Sequence, residues 1–224
     1  MLMRINVLQH TPNEGPGAIK SWSRARGHEM FIYHPYQFGQ LPKVEETDFL
    51  VILGGPMSPN DPLEWIEAER NLIKALLAQE KPIFGACFGA QQIAMAVGSS
   101  VTKAPYKEVG WAPVYLQSQT ILNIPKECLV LHWHEEMFEL PPQAEWLFSS
   151  KLVKNQGFLL KQNVIGLQFH FEPEAEDLRE IVTNDGNYAE VDNALKQTPE
   201  TIITQEVPRE NQAIMFKLLD FITQ

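Results

Sequence analysis

In the first half of this chain, short unbroken apolar runs alternate with stretches in which apolar residues recur every third or fourth position. The runs are Arg4–Leu8, residues 30–33, residues 49–53 and residues 83–86, with Gly or Pro soon after most of them. A run without polar alternation suits a central parallel strand covered on both faces. Between the runs, residues 18–26 read as a helix stopped by Gly27. A second helix is announced by Asp61 as N-cap, Pro62 at its first position and Glu64 as the partner of a capping box. Trp65, Ala68, Leu72, Ala75 and Leu76 would share its inner face until Lys81-Pro82 breaks it. Residues 89–97 form a third helical pattern, closed by Gly98. The alternation predicts an α/β fold: an open, mainly parallel sheet with right-handed crossovers and helices on both faces.

From Val101 the texture changes to short β segments at residues 109–116, 129–133, 145–149, 158–161 and 164–171. Residues 174–182 return to a helical pattern, 185–209 are polar without clear periodicity, and Ile214, Leu218, Phe221 and Ile222 mark a final amphipathic helix. Neither repeats nor a linker interrupt the pattern, so residues 1–224 are expected to form a single domain. With 44% hydrophobic residues, such a domain can bury its core without disulfide or metal staples.

A net charge of −10 without a basic cluster argues against nucleic acid as a partner. Cys87 and Cys128 are too few for a disulfide framework and suit a reducing compartment. The opening residues lack a signal-peptide pattern, and no apolar run approaches the ~20 residues that span a bilayer. A cytoplasmic protein, off the membrane, is the expectation.

The sharpest chemical signal is Gly85-Ala86-Cys87-Phe88-Gly89, a nucleophile between two glycines at a strand-to-helix junction. That is the geometry of a nucleophile elbow with Cys in the place of Ser. The helix that follows directs its positive end at the sulfur and favours thiolate over thiol. The competing reading is an ordinary buried cysteine at a strand end; Cys128, without such flanks, is read as packing. A thiol nucleophile wants a base, and the base an orienting acceptor. His170 and Glu172, two apart at the end of a predicted strand, leave the same face of it. Leu53-Gly54-Gly55-Pro56 ends another strand, so one of its N–H groups, with that of Phe88, could hold an oxyanion. His132-x-His134 beside Glu135 and Glu136 has the look of a metal site, but no third ligand cluster at metal spacing accompanies it, and no metal is expected. His10, His28 and His34 are read as surface or structural.

These residues resemble the three signatures of class I glutamine amidotransferases: the elbow continuing through Ala90-Gln91, the downstream His170-x-Glu172 and the upstream Gly54-Gly55-Pro56. Glu14-Gly15-Pro16-Gly17, Lys107-Glu108-Val109-Gly110-Trp111 and the stretch from Trp133 through Pro141 extend the likeness over most of the chain, towards the stand-alone, GMP-synthase-like branch. The resemblance implies a flavodoxin-like sheet, no cofactor, and hydrolysis of glutamine's side-chain amide through a glutamyl thioester. Cys87, His170 and Glu172 would be the catalytic residues, and Gly55 and Phe88 the oxyanion donors. Gln91 and the backbone around Glu135 and Glu136 would bind the substrate's amino-acid end. The ammonia would pass to a separate synthase subunit, since the chain carries no P-loop. A γ-glutamyl peptidase acting without a partner, and a non-catalytic glutamine sensor, are the alternatives. Two positions depart from the family pattern: Phe171 stands where proline is usual, and Glu135 where glycine is.

Overall fold

The apolar runs become strands β1 (Arg4–Leu8), β2 (Glu29–Tyr33), β3 (Phe49–Ile52) and β4 (Ile83–Ala86). They alternate with helices α1 (Gly17–Arg26), the short α2 (Pro35–Phe38), α3 (Glu64–Ala78) and α4 (Phe88–Ala96). Strands β5 (Val101–Leu116), β6 (Glu127–Phe138), β7 (Glu145–Ser149), β8 (Gly157–Leu160) and β9 (Val164–Leu167) follow, then α5 (Ala175–Asp185), α6 (Pro199–Thr204) and α7 (Arg209–Ile222). The computed structural model describes residues 2–224, which build one nine-stranded sheet in the order β2-β1-β3-β4-β9-β8-β7-β5-β6. Pairing is parallel from β2 to β9 and antiparallel from β9 to β6.

Every residue of β3 is buried, because both faces of the sheet are covered there. Phe49 and Val51 pack with Trp22 of α1 and Leu218 of α7 on one face. Leu50 and Ile52 pack with Ile73 and Leu76 of α3 and Ile93 of α4 on the other. Strand alternation thus sorts one continuous apolar run into two cores.

Four expectations are corrected. Helix α3 begins at Glu64, after Leu63 in the N-cap position, and Asp61 instead holds the preceding turn by accepting from Ser58 N–H at 3.0 Å. Its buried face is Ile66, Glu69, Leu72, Ile73 and Leu76, while Trp65 is only half-buried and Ala68 exposed. A glutamate inside the stripe disguised the true face. Strand β9 stops at Leu167, short of His170, because the chain turns off to meet β6: His170 N–H donates to the Leu131 carbonyl at 2.9 Å. Strand β5 starts at Val101, with an irregular register between Lys103 and Glu108, where exposed polar residues conceal it in the sequence.

Candidate active site

Cys87 sits where β4 hands over to α4, with φ 48° and ψ −109°. A positive φ is costly for a residue with a side chain and persists only where its surroundings fix it. Here they do. A Cβ on Gly85 would lie 2.6 Å from the Gly89 carbonyl carbon, and one on Gly89 would strike the Ile52 carbonyl oxygen, so both glycines let α4 close onto the sheet. Cys87 N–H donates to the Leu167 carbonyl at 2.7 Å, tying the elbow to β9. The first helical bond runs from Gln91 N–H to the Cys87 carbonyl at 3.1 Å, so the N–H groups of Phe88, Gly89 and Ala90 precede the ladder. The Cys87 sulfur lies 3.8 Å from the Trp133 carbonyl oxygen and 3.6 Å from Gln168 Nε2.

Beyond β9, residues 168–172 alternate. Phe169 and Phe171 turn inward, edge to face with each other at 4.9 Å and with Phe148 at 5.4 and 6.0 Å. Phe171 is therefore an anchor: its aromatic packing fixes the exit of the chain where the family uses proline. His170 and Glu172 turn the other way, and His170 Nδ1 meets Glu172 Oε1 at 2.5 Å, both buried. Burial alone would discourage charge on His170, but the Glu172 carboxylate and the Cys87 sulfur overcome it and raise the imidazole well above its ordinary value. The Glu172 carbonyl is held in turn by Ala18 N–H at 2.8 Å, and a Cβ on Gly17, at φ 42°, would collide with that oxygen. Glu14-Gly15-Pro16-Gly17 is thus a cradle for the His-x-Glu segment.

His10, read from sequence as surface or structural, is buried beneath Gly54-Gly55, stacked on Trp65 and edge-on to Phe88. Its Nδ1 lies 3.2 Å from the Leu53 carbonyl oxygen and 3.3 Å from that of Gly54. A carbonyl can only accept, so Nδ1 carries a proton. In a trans peptide the C=O and the following N–H point in opposite directions. Drawing the Gly54 carbonyl towards His10 therefore turns the Gly55 N–H away from it. Glu69 faces His10 Nε2 and accepts a further bond from Gln92 Nε2 at 3.1 Å.

Cys87 and Gly55 open into a cleft of about 180 Å³, small beside the several hundred of a drug-sized site and suited to an amino-acid-sized group. Gln91, Glu135 and Glu136 line it as expected from sequence; Glu14, Asp185 and Tyr188 line it too, and no motif announces the last two. Gln91 Nε2 donates to Gln168 Oε1 at 3.3 Å, and Glu136 accepts from Ser58 Oγ at 3.0 Å. Glu135 reaches Lys103 only at 3.9 Å and is half exposed. Burial, opposed chiefly by the charge of His170, holds the Glu14 carboxyl above its ordinary value.

Behind Trp133, His132 and His134 do find a third partner: Glu108, directly across the β5–β6 ladder from His134. Burial pushes His132 down to about 4. Burial alone would raise Glu108, but hydrogen bonding from His134 and the nearby His132 bring it below its ordinary value. Cys128 packs as expected, and burial pushes its thiol up to about 11.

A cysteine on a strand-to-helix elbow, faced by a His–Glu pair at the carboxyl edge of an α/β sheet, is the arrangement of a thiol-dependent hydrolase. The chain belongs to the class I glutamine amidotransferase family: residues 18–185 match the family described as "Glutamine amidotransferase class-I". It is 30% identical over 191 residues to the putative glutamine amidotransferase-like protein YfeJ of Salmonella typhimurium, covering 80% of each chain. It is 31% identical over 132 residues to a glutamine-hydrolyzing GMP synthase subunit of Methanocaldococcus jannaschii, covering 57% of this chain and 66% of that one. It is 25% identical over 155 residues to gamma-glutamyl peptidase 4 of Arabidopsis thaliana, covering 65% and 62%. Among solved structures, a glutamine amidotransferase from Thermotoga maritima superposes with a TM-score of 0.91 at 26% identity, covering 100% of this chain and 99% of that one. Among the described residues no helix is long and apolar enough to cross a membrane.

Proposed function

We propose that this chain hydrolyses the side-chain amide of glutamine through a glutamyl thioester on Cys87. What supports the reading is a strained cysteine at a helix N-terminus and, far from it in sequence, a histidine whose imidazole that sulfur helps to raise and which stands 2.5 Å from a carboxylate. The Cys87 sulfur attacks the amide carbon, and the oxyanion is held by the N–H groups of Gly55 and Phe88. The C–N bond breaks as His170 gives its proton to the departing ammonia. Water, deprotonated by His170, then cleaves the C–S bond, releasing glutamate and restoring the thiol. Glu172 holds the imidazole in the required tautomer throughout. Gln91, Glu135 and Glu136 grip the amino-acid end, and a synthase on a separate chain takes up the ammonia.

The relation to a γ-glutamyl peptidase favours a second reading, in which the amide nitrogen belongs to a longer γ-glutamyl compound. Release of ammonia from glutamine, measured beside cleavage of γ-glutamyl dipeptides by the same preparation, separates the two. Mass spectrometry of acid-quenched reactions should find the glutamyl adduct on Cys87. Turnover of both substrate types by a Cys87→Ala variant would remove the proposal.

A further inference from the structure

Glu108, His132 and His134 serve no step of the proposed hydrolysis, yet they converge in the closed space behind the nucleophile. His134 Nε2 stands 3.3 Å from Glu108 Oε2, and His132 Nδ1 stands 3.7 Å from the same oxygen. Donors bound at about 2.0–2.2 Å around a tetrahedral ion lie roughly 3.3–3.6 Å apart. The three side chains are 3% exposed or less. Two further observations suit a cation there. His132 is fully buried, and neither of its ring nitrogens meets a hydrogen-bond partner among the described residues. His134 Nδ1 lies 3.1 Å from the Glu136 carbonyl oxygen, an anchor that turns its Nε2 towards the Glu108 carboxylate.

We propose that Glu108, His132 and His134 bind a transition-metal dication, Zn2+ by the chemistry of two imidazoles and one carboxylate. The surrounding groups suit that role. His134 gives its second N–H to a backbone carbonyl, and Glu108 accepts from Ser150 Oγ at 2.8 Å, as the outer partners of metal ligands do. Gln156 Nε2 donates to Glu108 Oε2 at 2.6 Å and so steadies the carboxylate as a further outer partner. The three ligands are buried from solvent, which makes the ion's role a structural one. The ion pins β5 to β6 beside the irregular register after Lys103, and it fixes Trp133, whose carbonyl oxygen touches the Cys87 sulfur.

The test uses the full chain without a polyhistidine tag, in a Cys87→Ser background that removes the competing thiol. Because the site is buried, the protein is unfolded and refolded with Zn2+, with Co2+, or with a chelator. The expected result is one metal per chain after gel filtration, visible d–d absorption of a four-coordinate Co2+ site, and a thermal midpoint several degrees above that of the chelated protein. His132→Gln should weaken binding by about 100-fold or more and keep the thermal midpoint of the chelated parent. Metal content no higher than in His132→Gln, with a thermal midpoint indifferent to Zn2+ and chelator, overturns the proposal and leaves a proton shared by Glu108 and His134.

Discussion

His10 Nε2 stands 2.8 Å from the Glu69 carboxylate, and both side chains are shut off from solvent. The pair holds the Gly54 carbonyl from below and so sets the orientation of the Gly55 N–H, the donor proposed for the oxyanion. His10→Phe should keep the stacking on Trp65, lose the hydrogen bonds, and lower kcat roughly 10–100-fold with a smaller change in KM. Stranding Glu69 also destabilises the fold, so the double variant His10→Phe/Glu69→Leu is the cleaner probe. Its thermal midpoint should recover while kcat stays low; recovery of both would reduce the pair to packing.

Cys87→Ala should abolish turnover, and His170→Ala should cost roughly 10²–10⁴-fold. Glu172→Gln should cost less and move the alkaline limb of the kcat/KM profile to lower pH, because the carboxylate that raises His170 is gone. The same shift has a stability consequence. A raised imidazole contributes stability in full below its unfolded value of about 6.5, and that contribution is lost as pH rises through the folded value. The gap in thermal midpoint between wild type and Glu172→Gln should therefore be widest near pH 6 and narrow in alkali. A gap independent of pH would contradict the assignment.

Gly89→Ala should destabilise by about 3 kcal/mol or prevent folding, since the added methyl meets the Ile52 backbone, which cannot yield. At Gly27, with φ 70° and open space around it, alanine should cost only about 1 kcal/mol of backbone strain. Denaturant midpoints of the two variants test the contrast; equal costs would mean that α4 tolerates a shift away from β3.

Glu14 is shifted in the same direction as His170, but burial rather than a partner charge is the cause. Its carboxyl is raised by burial, so ionisation opposes folding as pH climbs from the unfolded value of about 4.3 towards the folded one. Glu14→Gln should raise the thermal midpoint more at pH 7 than at pH 4. A uniform rise across that range would show that the carboxylate is fully hydrated.

The parallel half of the sheet and the elbow were legible because local chemistry carried them. Unbroken apolar runs, Gly85 and Gly89 around Cys87, and the alternation of His170 with Glu172 each state their structure within a few residues. What stayed hidden depends on pairing between distant segments. Glu69 looks like a solvated helix residue until His10 and Gln92 surround it, and this polar insertion misplaced the inner face of α3. Glu108 joins the two histidines only through the β5–β6 register, which no spacing rule along one strand reveals. Asp185 and Tyr188 reach the cleft from a polar stretch without periodicity.

That stretch also finishes the sheet. Asn193 exchanges both amide hydrogen bonds with the backbone of Val109, at 3.2 and 2.8 Å, and Gln197 does the same with Trp111, at 2.9 and 2.7 Å. A primary amide carries a donor and an acceptor in one plane, as a peptide does, so two side chains stand in for a missing strand. The substitution makes this border sensitive to chemical ageing. Deamidation of Asn193 would replace its NH2 with a carboxylate oxygen facing the Val109 carbonyl, and attraction would become repulsion. An old preparation would then expose the backbone edge at Val109 as a ready-made template for a neighbouring molecule, and turbidity in storage would begin at this border.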